Sequence, residues 1–107
     1  MDKKILSLLG LAARGRRLVS GEFACEDAVK KGKAQLVIVS EEASDNTKKL
    51  FRDKCTYYGV PVYLRFSKDV LGKAVGCEMR AVVCVTDRGF AEALEQYFSQ
   101  DHINGGC

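Results

Sequence analysis

The chain has 107 residues, of which 47% are hydrophobic and 29% are charged. These values indicate one globular domain with a real core, and they exclude a disordered or fibrous chain. No apolar run reaches the roughly 18–20 residues that a membrane span needs. The apolar part of residues 1–10 is short and runs directly on to Arg14, so we interpret it as an amphipathic helix and not as a cleaved leader.

The positive charge is concentrated in the first half of the chain. Residues 1–54 hold 12 Lys and Arg against 8 Asp and Glu, a balance of +4, whereas residues 55–107 hold 5 against 6, a balance of −1. This asymmetry favours an anionic partner for the N-terminal half. A basic surface that is merely solvated is the alternative.

Five cysteines stand at positions 25, 55, 77, 84 and 107. They form no Cys-x-x-Cys pair, and the single histidine, His102, lies in a glycine-rich tail, so we expect no metal site. The odd number of cysteines favours reduced thiols in the cytosol. Cys25, Cys55 and Cys84 fall on apolar positions, and we expect them to be small core residues.

The first half of the chain predicts alternating helices and strands. Apolar residues at helical spacing predict a helix over residues 3–13, and a short edge strand follows at 18–19. Ser20 is predicted to cap a second helix, which ends at Gly32. The continuous apolar run at 36–39 predicts a central strand that is buried on both faces.

The middle of the chain continues this alternation. We interpret Glu41 and Glu42 as part of a solvated loop, which leads to a third helix that ends at Gly59. A strand over residues 60–64 follows, with Pro61 near its start. The predicted inner face of the third helix consists of Leu50, Phe51, Cys55 and Tyr58.

The last part of the chain predicts two more helices around a second doubly buried strand. Ser67 caps a fourth helix that ends at Gly76, and residues 81–85 form the strand. We assign residues 1–99 to one α/β domain and residues 100–107 to a flexible tail. The predicted inner faces are Val70, Leu71, Ala74 and Val75 in the fourth helix, and Phe90, Ala91, Leu94 and Phe98 in the last.

The sequence carries no signature of an enzyme. It has no dinucleotide-binding glycine motif, and Gly72-Lys73-Ala74 is not a phosphate loop because Ala74 stands where Ser or Thr is needed. Cys77 has no histidine near it in the predicted elements to act as its base. The sequence therefore favours a binding domain over an enzyme, and it indicates no cofactor.

Several segments, in this order and at this spacing, carry a resemblance to a known family. They are residues 9–14 (LGLAAR) with 18–22 (LVSGE), 32–47 (GKAQLVIVSEEASDNT), 53–62 (DKCTYYGVPV), and 71–76 (LGKAVG) with 80–85 (RAVVCV). Over residues 4–98 the chain resembles the kink-turn-binding ribosomal protein family, specifically its small bacterial YlxQ-like branch. The resemblance implies a three-layer α/β/α sandwich with a small mixed four-stranded sheet, which binds a kinked RNA duplex.

The resemblance also implies where the RNA lies. In this family the start of the second helix approaches tandem sheared G·A pairs, and the loop between the fourth helix and the last strand contacts bulged bases. These elements correspond here to residues 20–31 and 76–80. The RNA-binding residues implied are Ser20, Gly21, Glu22, Phe23, Lys30, Lys31 and Lys33 around the second helix, and Gly76, Cys77, Glu78, Met79 and Arg80 in the loop.

The chemistry of these residues suits RNA. Gly21 lets the main chain approach a phosphate or a base edge, and the Glu22 carboxylate can accept hydrogen bonds from guanine. Met79 offers a soft apolar surface to an unstacked base, and Arg80 offers a planar cation. Flanking phosphates can be neutralised by a basic set, which consists of Lys30, Lys31, Lys33, Arg14, Arg16 and Arg17.

The second helix departs from the family pattern. Family members often carry an Asn-Glu pair or similar acids at its start and a lysine one turn later, and the matching positions here are Phe23, Ala24 and Asp27. Asp27 places an anion where phosphates would lie, and Glu26 adds another. Phe23 either stacks on a base or makes a local hydrophobic contact.

We therefore predict a non-enzymatic, cytoplasmic protein that binds kink-turn-like structured RNA as a monomer in association with the ribosome, with no membrane contact and no metal. The departures at the second helix support an alternative, a protein-interaction module on the same fold that has lost much of its RNA site. A third possibility is the substrate-recognition part of an RNA-modifying enzyme, because similar domains precede methyltransferase domains.

Overall fold

The computed structural model describes the backbone of residues 2–106 and the side chains of residues 2–98. Helices and strands alternate along the chain as the sequence predicts. The order is α1 (Asp2–Arg14), β1 (Leu18–Ser20), α2 (Glu22–Lys30), β2 (Leu36–Val39), α3 (Asp45–Tyr58), β3 (Val62–Leu64), α4 (Lys68–Ala74), β4 (Val82–Val85) and α5 (Arg88–Gly106).

The four strands form one mixed sheet in the order β1-β4-β2-β3. β4 is antiparallel to both β1 and β2, whereas β2 and β3 are parallel. Every residue of β2 and β4 is buried, because helices cover both faces of these central strands. The predicted small mixed sheet is therefore confirmed, with β1 and β3 at its edges.

Alternation along the central strands divides the core into two parts. Val37, Val39 and Cys84 pack with Phe51 under α2 and α3. The intervening strand residues, such as Ile38, pack instead under α1, α4 and α5. Two helix layers thus enclose the sheet, which confirms the three-layer α/β/α sandwich.

Three cysteines lie in the first of these cores, as predicted. Burial raises the pKa of the Cys55 thiol to about 11. Burial and the neighbouring Cys55 raise the pKa of Cys84 to about 12, and the pKa of Cys25 is raised further still for the same reason of burial. These thiols remain protonated and act as small apolar groups.

Two absences hold for the part of the chain that the structure describes. Among the side chains of residues 2–98, no group of three or more His, Cys, Asp and Glu is arranged to hold a metal ion. None of the helices within residues 2–106 has both the length and the apolar character that crossing a bilayer requires.

The structure corrects the sequence prediction at the start of α2. Gly21, and not Ser20, is the N-cap residue, because Ser20 is still part of β1. The predicted cap at Ser67 is confirmed, since its hydroxyl oxygen accepts from the N–H of Val70 at 3.1 Å. The strand predicted over 60–64 is shorter and begins at Val62.

Two predicted inner-face residues point outwards. Tyr58 is 44% exposed because it is the last residue of α3, one turn beyond the buried Cys55. Val70 is 38% exposed because Leu71 and Gly72 take the buried side of the short helix α4.

The segment predicted to be a flexible tail, residues 100–107, coincides with the last part of α5 as far as Gly106. The side chains from residue 99 onwards and the whole of Cys107 lie outside the described residues. The flexibility of this segment stays a prediction.

Candidate nucleic-acid interface

The strand directions bring several loops to one end of the sheet. Ser20 ends β1 opposite Val83, which is near the start of β4, and β2 and β3 end on the same side. Because α2, α3 and α4 follow these strands, their N-termini face this side, and their dipoles make it favourable for an anion. We call it the N-cap end, after the cap residues Gly21, Ser44 and Ser67, and we call the opposite side, at Val85, the far end.

Gly21 connects β1 to α2 in a backbone conformation that favours glycine. Its φ is 96°, and no atom lies within 4 Å of the place where a Cβ would be. Its N–H donates to the carbonyl of Val82 at 2.9 Å, and its own carbonyl accepts from the N–H of Cys25 at 3.0 Å. Since glycine has no side chain to cap α2, the first N–H groups of this helix stay available to an anion.

Arg80 joins the two elements to which the family resemblance assigns RNA binding. Its Nε donates to Oγ of Ser20 at 2.9 Å, and its Nη1 donates to the carbonyl of Met79 at 2.9 Å. Its main-chain N–H donates to the carbonyl of Lys68 at 3.1 Å. The loop before β4 is thereby held against both the β1–α2 junction and the start of α4.

This loop, residues 76–80, also packs closely on α4. The N–H of Cys77 donates to the carbonyl of Gly72 at 2.8 Å. A Cβ at Gly72 would lie 2.6 Å from the carbonyl oxygen of Glu78 and 2.7 Å from Cα of Met79. The close approach therefore requires glycine, and it leaves the Met79 side chain 55% exposed.

Glu22 is positioned by the start of α3. Its Oε1 accepts a hydrogen bond of 2.7 Å from the hydroxyl of the buried Thr47, which in turn accepts one of 3.0 Å from the Ser44 hydroxyl. Ser44 also caps α3 by accepting from the N–H of Thr47 at 3.1 Å. The second carboxylate oxygen of Glu22 has no partner among the described residues, and it can accept a hydrogen bond from a ligand.

Phe23 is the most exposed large hydrophobic residue of the interface. Its exposed fraction is 86%. The ring is therefore not buried in a local hydrophobic contact, which was one of the two interpretations of the sequence. A large aromatic ring in water on the first turn of α2 is instead available to stack on a base.

The structure does not bring the predicted basic set to this interface. Lys33 lies close to Gln35, whose N–H donates to the carbonyl of Val85 at the far end. The carbonyl of Arg17 likewise accepts from Thr86, which follows β4. Lys30 is about 12 Å along α2 from Glu22. The residues at or near the far end are Arg14, Arg16, Arg17, Lys30, Lys31 and Lys33.

The acids that depart from the family pattern form ion pairs with lysines of the same chain. Asp27 lies 3.2 Å from the ammonium of Lys31. Glu26 lies 3.4 Å from both Lys30 and Lys54. Although burial acts in the opposite direction, hydrogen bonds from Lys54 and Lys30 hold the pKa of Glu26 below its usual value.

The N-cap end contains further residues that sequence reasoning missed. Glu42, predicted as part of a solvated loop, is exposed but accepts from the N–H of Lys68 at 2.9 Å and so helps to cap α4. Phe66 has a φ of 71°, which is a strained conformation for a bulky residue. Its carbonyl accepts from the N–H of Glu41 at 2.9 Å and from the hydroxyl of the buried Ser40 at 3.0 Å.

The spacing Ser44-x-x-Thr47 signals a helix cap, but no local sequence signal indicates the hydrogen bond between Thr47 and Glu22.

Comparison of the sequence with known families and proteins gives consistent matches. The model of the ribosomal protein L7Ae/L30e/S12e/Gadd45 family matches residues 3–95. The RNA-binding protein YlxQ of Bacillus subtilis (strain 168) is 49% identical over 87 residues, which cover 81% of this chain and 87% of that protein. The RNA-binding protein YlxQ of Enterococcus faecium is 36% identical over 94 residues, which cover 88% and 90%.

Solved structures agree with the sequence matches. A protein with unknown function from Bacillus halodurans C has a TM-score of 0.85 and 45% identity, and the match covers 87% of this chain and 94% of that one. The 15.5kD RNA binding protein of Giardia lamblia has a TM-score of 0.77 and 25% identity, with 89% and 85% covered.

Proposed function

Because the chain belongs to the ribosomal protein L7Ae/L30e/S12e/Gadd45 family, we propose that it is an RNA-binding protein that recognises a kink-turn or a similarly bent RNA. We assign the RNA to the N-cap end. The hydrogen bond from Arg80 to Ser20 is the observation that carries this proposal, since it unites the 76–80 loop and the start of α2 in one surface. The names of the matched YlxQ and Giardia proteins support the same class of ligand.

Each part of this surface suits a different part of a bent RNA. The main chain at Gly21 and the first N–H groups of α2 receive a phosphate. The free carboxylate oxygen of Glu22 accepts from a guanine N–H of a sheared G·A pair. Phe23 and Met79 cover bases that the bend has unstacked.

The protein acts by capturing one RNA conformation. A kink-turn fluctuates between extended and bent forms, and a surface that contacts the groove and the bulged bases together fits the bent form alone. Binding therefore shifts the population of the RNA towards the bent form by the difference in affinity for the two forms. The hydrogen bonds of Glu22 and Arg80 within the protein hold both side chains in place without RNA, so the surface is preorganised for binding.

The test is a titration of two duplexes of the same base composition, one with a kink-turn and one without. We expect micromolar or tighter binding of the kink-turn at low salt, a preference of about tenfold or more over the control duplex, and weaker binding as salt rises. A fluorophore pair on the two stems should report closure of the kink on addition of protein. Equal binding of both duplexes would contradict recognition of the bend.

A second candidate function is a protein-interaction module, because the exposed Phe23 and the acidic Asp27 also suit a protein partner. The substitution Asp27→Lys separates the two functions. If the surface binds RNA, the new cation should strengthen kink-turn binding, whereas a protein-binding surface should show no change. Asp53→Lys is the control, because it makes the same change of charge in the second half of α3, away from the N-cap end.

We further propose that the RNA is ribosomal and that the protein binds it as a monomer in the cytoplasm. The family to which the chain belongs takes its name from ribosomal proteins, which supports this source of RNA. Sedimentation of cell extracts at low salt should place the protein with ribosomal particles, whereas a Gly72→Ala variant, in which the 76–80 loop has to move, should remain at the top of the gradient. A wild-type protein found only at the top would contradict ribosome association.

A further inference from the structure

A groove of about 190 Å³ lies where α3 passes the open edge of β3, and none of its residues belongs to the proposed RNA interface. β3 is an edge strand, and its last residue, Leu64, is 52% exposed. Apolar side chains form most of the groove, and two cations of α3 complete it. Its walls are Val39, Val62, Tyr63, Leu64, Lys48 and Arg52.

Within residues 2–106, β3 pairs with β2 on one side and with no strand on the other. The N–H of Val37 donates to the carbonyl of Pro61 at 2.9 Å, and the N–H of Arg65 donates to the carbonyl of Val39 at 3.0 Å. In a parallel ladder this pattern turns the main-chain groups of alternate residues towards β2. The N–H and carbonyl groups of Val62 and Leu64 therefore point to the open edge, where another extended chain can pair with them.

The positive charges of the two groove cations are unfavourable where they stand unless an anion binds there. Lys48 and Arg52 stand four residues apart on α3, so that like charges are neighbours on one helix face. Lys48 also lies in the first turns of the helix, where a positive charge opposes the helix dipole. Neither has an ion-pair partner in the part of the chain that the structure describes, in contrast to Lys30, Lys31 and Lys54.

We propose that this groove binds an extended acidic peptide of a partner protein, added to the sheet as a strand beside β3. Lys48 and Arg52 are about 6 Å apart along α3, and side chains on one face of a strand repeat at about 7 Å. Two carboxylates separated by one residue therefore match the two cations. An apolar residue on the same face of the peptide fills the space beside Val62 and Leu64. RNA would satisfy the cations but cannot pair with the strand edge in a ladder.

The probe is the capped peptide Val-Thr-Glu-Thr-Glu-Thr-Val, whose symmetric sequence presents the same face in either strand direction. We expect it to shift the amide resonances of Val62 and Leu64 and to slow their hydrogen exchange. The amide of Tyr63, which already faces β2, serves as an internal control and should change little. The peptide with Gln in place of both Glu residues should bind about fivefold more weakly or worse.

Charge reversal in the groove is the second arm of the experiment. Arg52→Glu should weaken binding of the acidic peptide by about fivefold or more, whereas Lys49→Glu, an equal change on the same helix outside the groove, should alter it by less than about twofold. Absence of protection at Val62 and Leu64, or equal affinity for the Glu and Gln peptides, would overturn the proposal. It would also be overturned if an oligouridylate, and not the peptide, protected these amides, because the groove would then bind nucleic acid.

Discussion

The two ends of the sheet carry positive potential in different forms. At the N-cap end it comes from three helix N-termini and from cations held in hydrogen bonds, such as Arg80 on Ser20. At the far end it comes from lysines and arginines, several of which pair with acids: Lys30 with Glu26, Lys31 with Asp27 and Arg17 with Asp87. The end with more basic residues is therefore not the end whose groups are already in position and available for an anion.

This difference shows why a count of charges does not locate a binding site. An ion pair four residues apart on an exposed helix contributes little to stability, and it already satisfies its lysine. A helix N-terminus without a side-chain cap keeps its N–H groups unsatisfied, and it gains more from an arriving phosphate. Substitutions at each end should therefore affect RNA binding differently.

The largest effect is expected from Gly72→Ala, which acts on the N-cap end through the main chain. The new Cβ would lie under 3 Å from the main chain of Glu78 and Met79, so the 76–80 loop has to move. We expect a loss of stability of about 1–3 kcal/mol from overpacking. The affinity for a kink-turn should fall more than about tenfold, because the displaced loop no longer lies where it can contact the bulged bases. Thermal denaturation and RNA titration measure the two effects.

Gly15→Ala is the matched control for this loop. At Gly15 the nearest atom to an added Cβ is the carbonyl oxygen of Leu11 at 3.5 Å, which is an ordinary contact. This variant should keep its RNA affinity. If Gly72→Ala bound the kink-turn as well as the wild type while its loop remained displaced, the loop would not be part of the interface.

A smaller effect is expected from Phe23→Ala, compared with Tyr57→Ala. The two rings are 86% and 82% exposed, but Phe23 is on the first turn of α2 and Tyr57 is near the end of α3, at the far end. Both substitutions should change stability by less than about 0.5 kcal/mol. Only Phe23→Ala should weaken kink-turn binding, by about 1–3 kcal/mol for a lost base stack. Equal loss in the two variants would show that the RNA does not distinguish the ends.

Much of the fold could be predicted from the sequence because each element carries its own local signal. The continuous apolar runs at residues 36–39 and 81–85 indicate central strands, and glycines just beyond the helices mark their ends. Which residues of a helix are buried was less predictable near the helix end. Tyr58 matches the helical spacing, yet it is 44% exposed at the end of α3, although Cys55, three residues earlier, is fully buried.

The candidate site was less predictable, since its decisive contacts join distant parts of the chain. Ser20 carries the signal of a helix cap, but its hydroxyl instead accepts from Arg80, 60 residues later. Glu22 is held by Thr47, 25 residues away, and no local pattern records that contact. The basic residues were grouped with the site by their charge, whereas the direction of α2 separates Lys33 from Gly21 by the length of a helix.

A still smaller effect should follow from Lys33→Ala at the far end. We expect this lysine to touch at most one phosphate of a flanking stem, so its removal should weaken all RNA duplexes equally. The slope of log affinity against log salt should decrease by about 0.7–0.9. The preference for a kink-turn over a straight duplex should not change. A loss of that preference would mean that the far end also recognises the bend, whereas an unchanged slope would confine the RNA to the N-cap end.

The smallest effect is expected from Glu26→Gln, which breaks the ion pairs with Lys30 and Lys54. Because the folded-state pKa of Glu26 is lowered, its contribution to stability is present above the unfolded-state pKa and is lost as pH falls through the folded-state pKa. The variant should therefore be about 0.5 kcal/mol less stable than the wild type at pH 7 and equal to it in strong acid. Urea denaturation of both proteins from pH 7 to pH 2 measures this difference. RNA affinity at pH 7 should stay unchanged, because the carboxylate pairs with Lys30 and with Lys54 of α3 and is not part of the surface that we assign to the RNA.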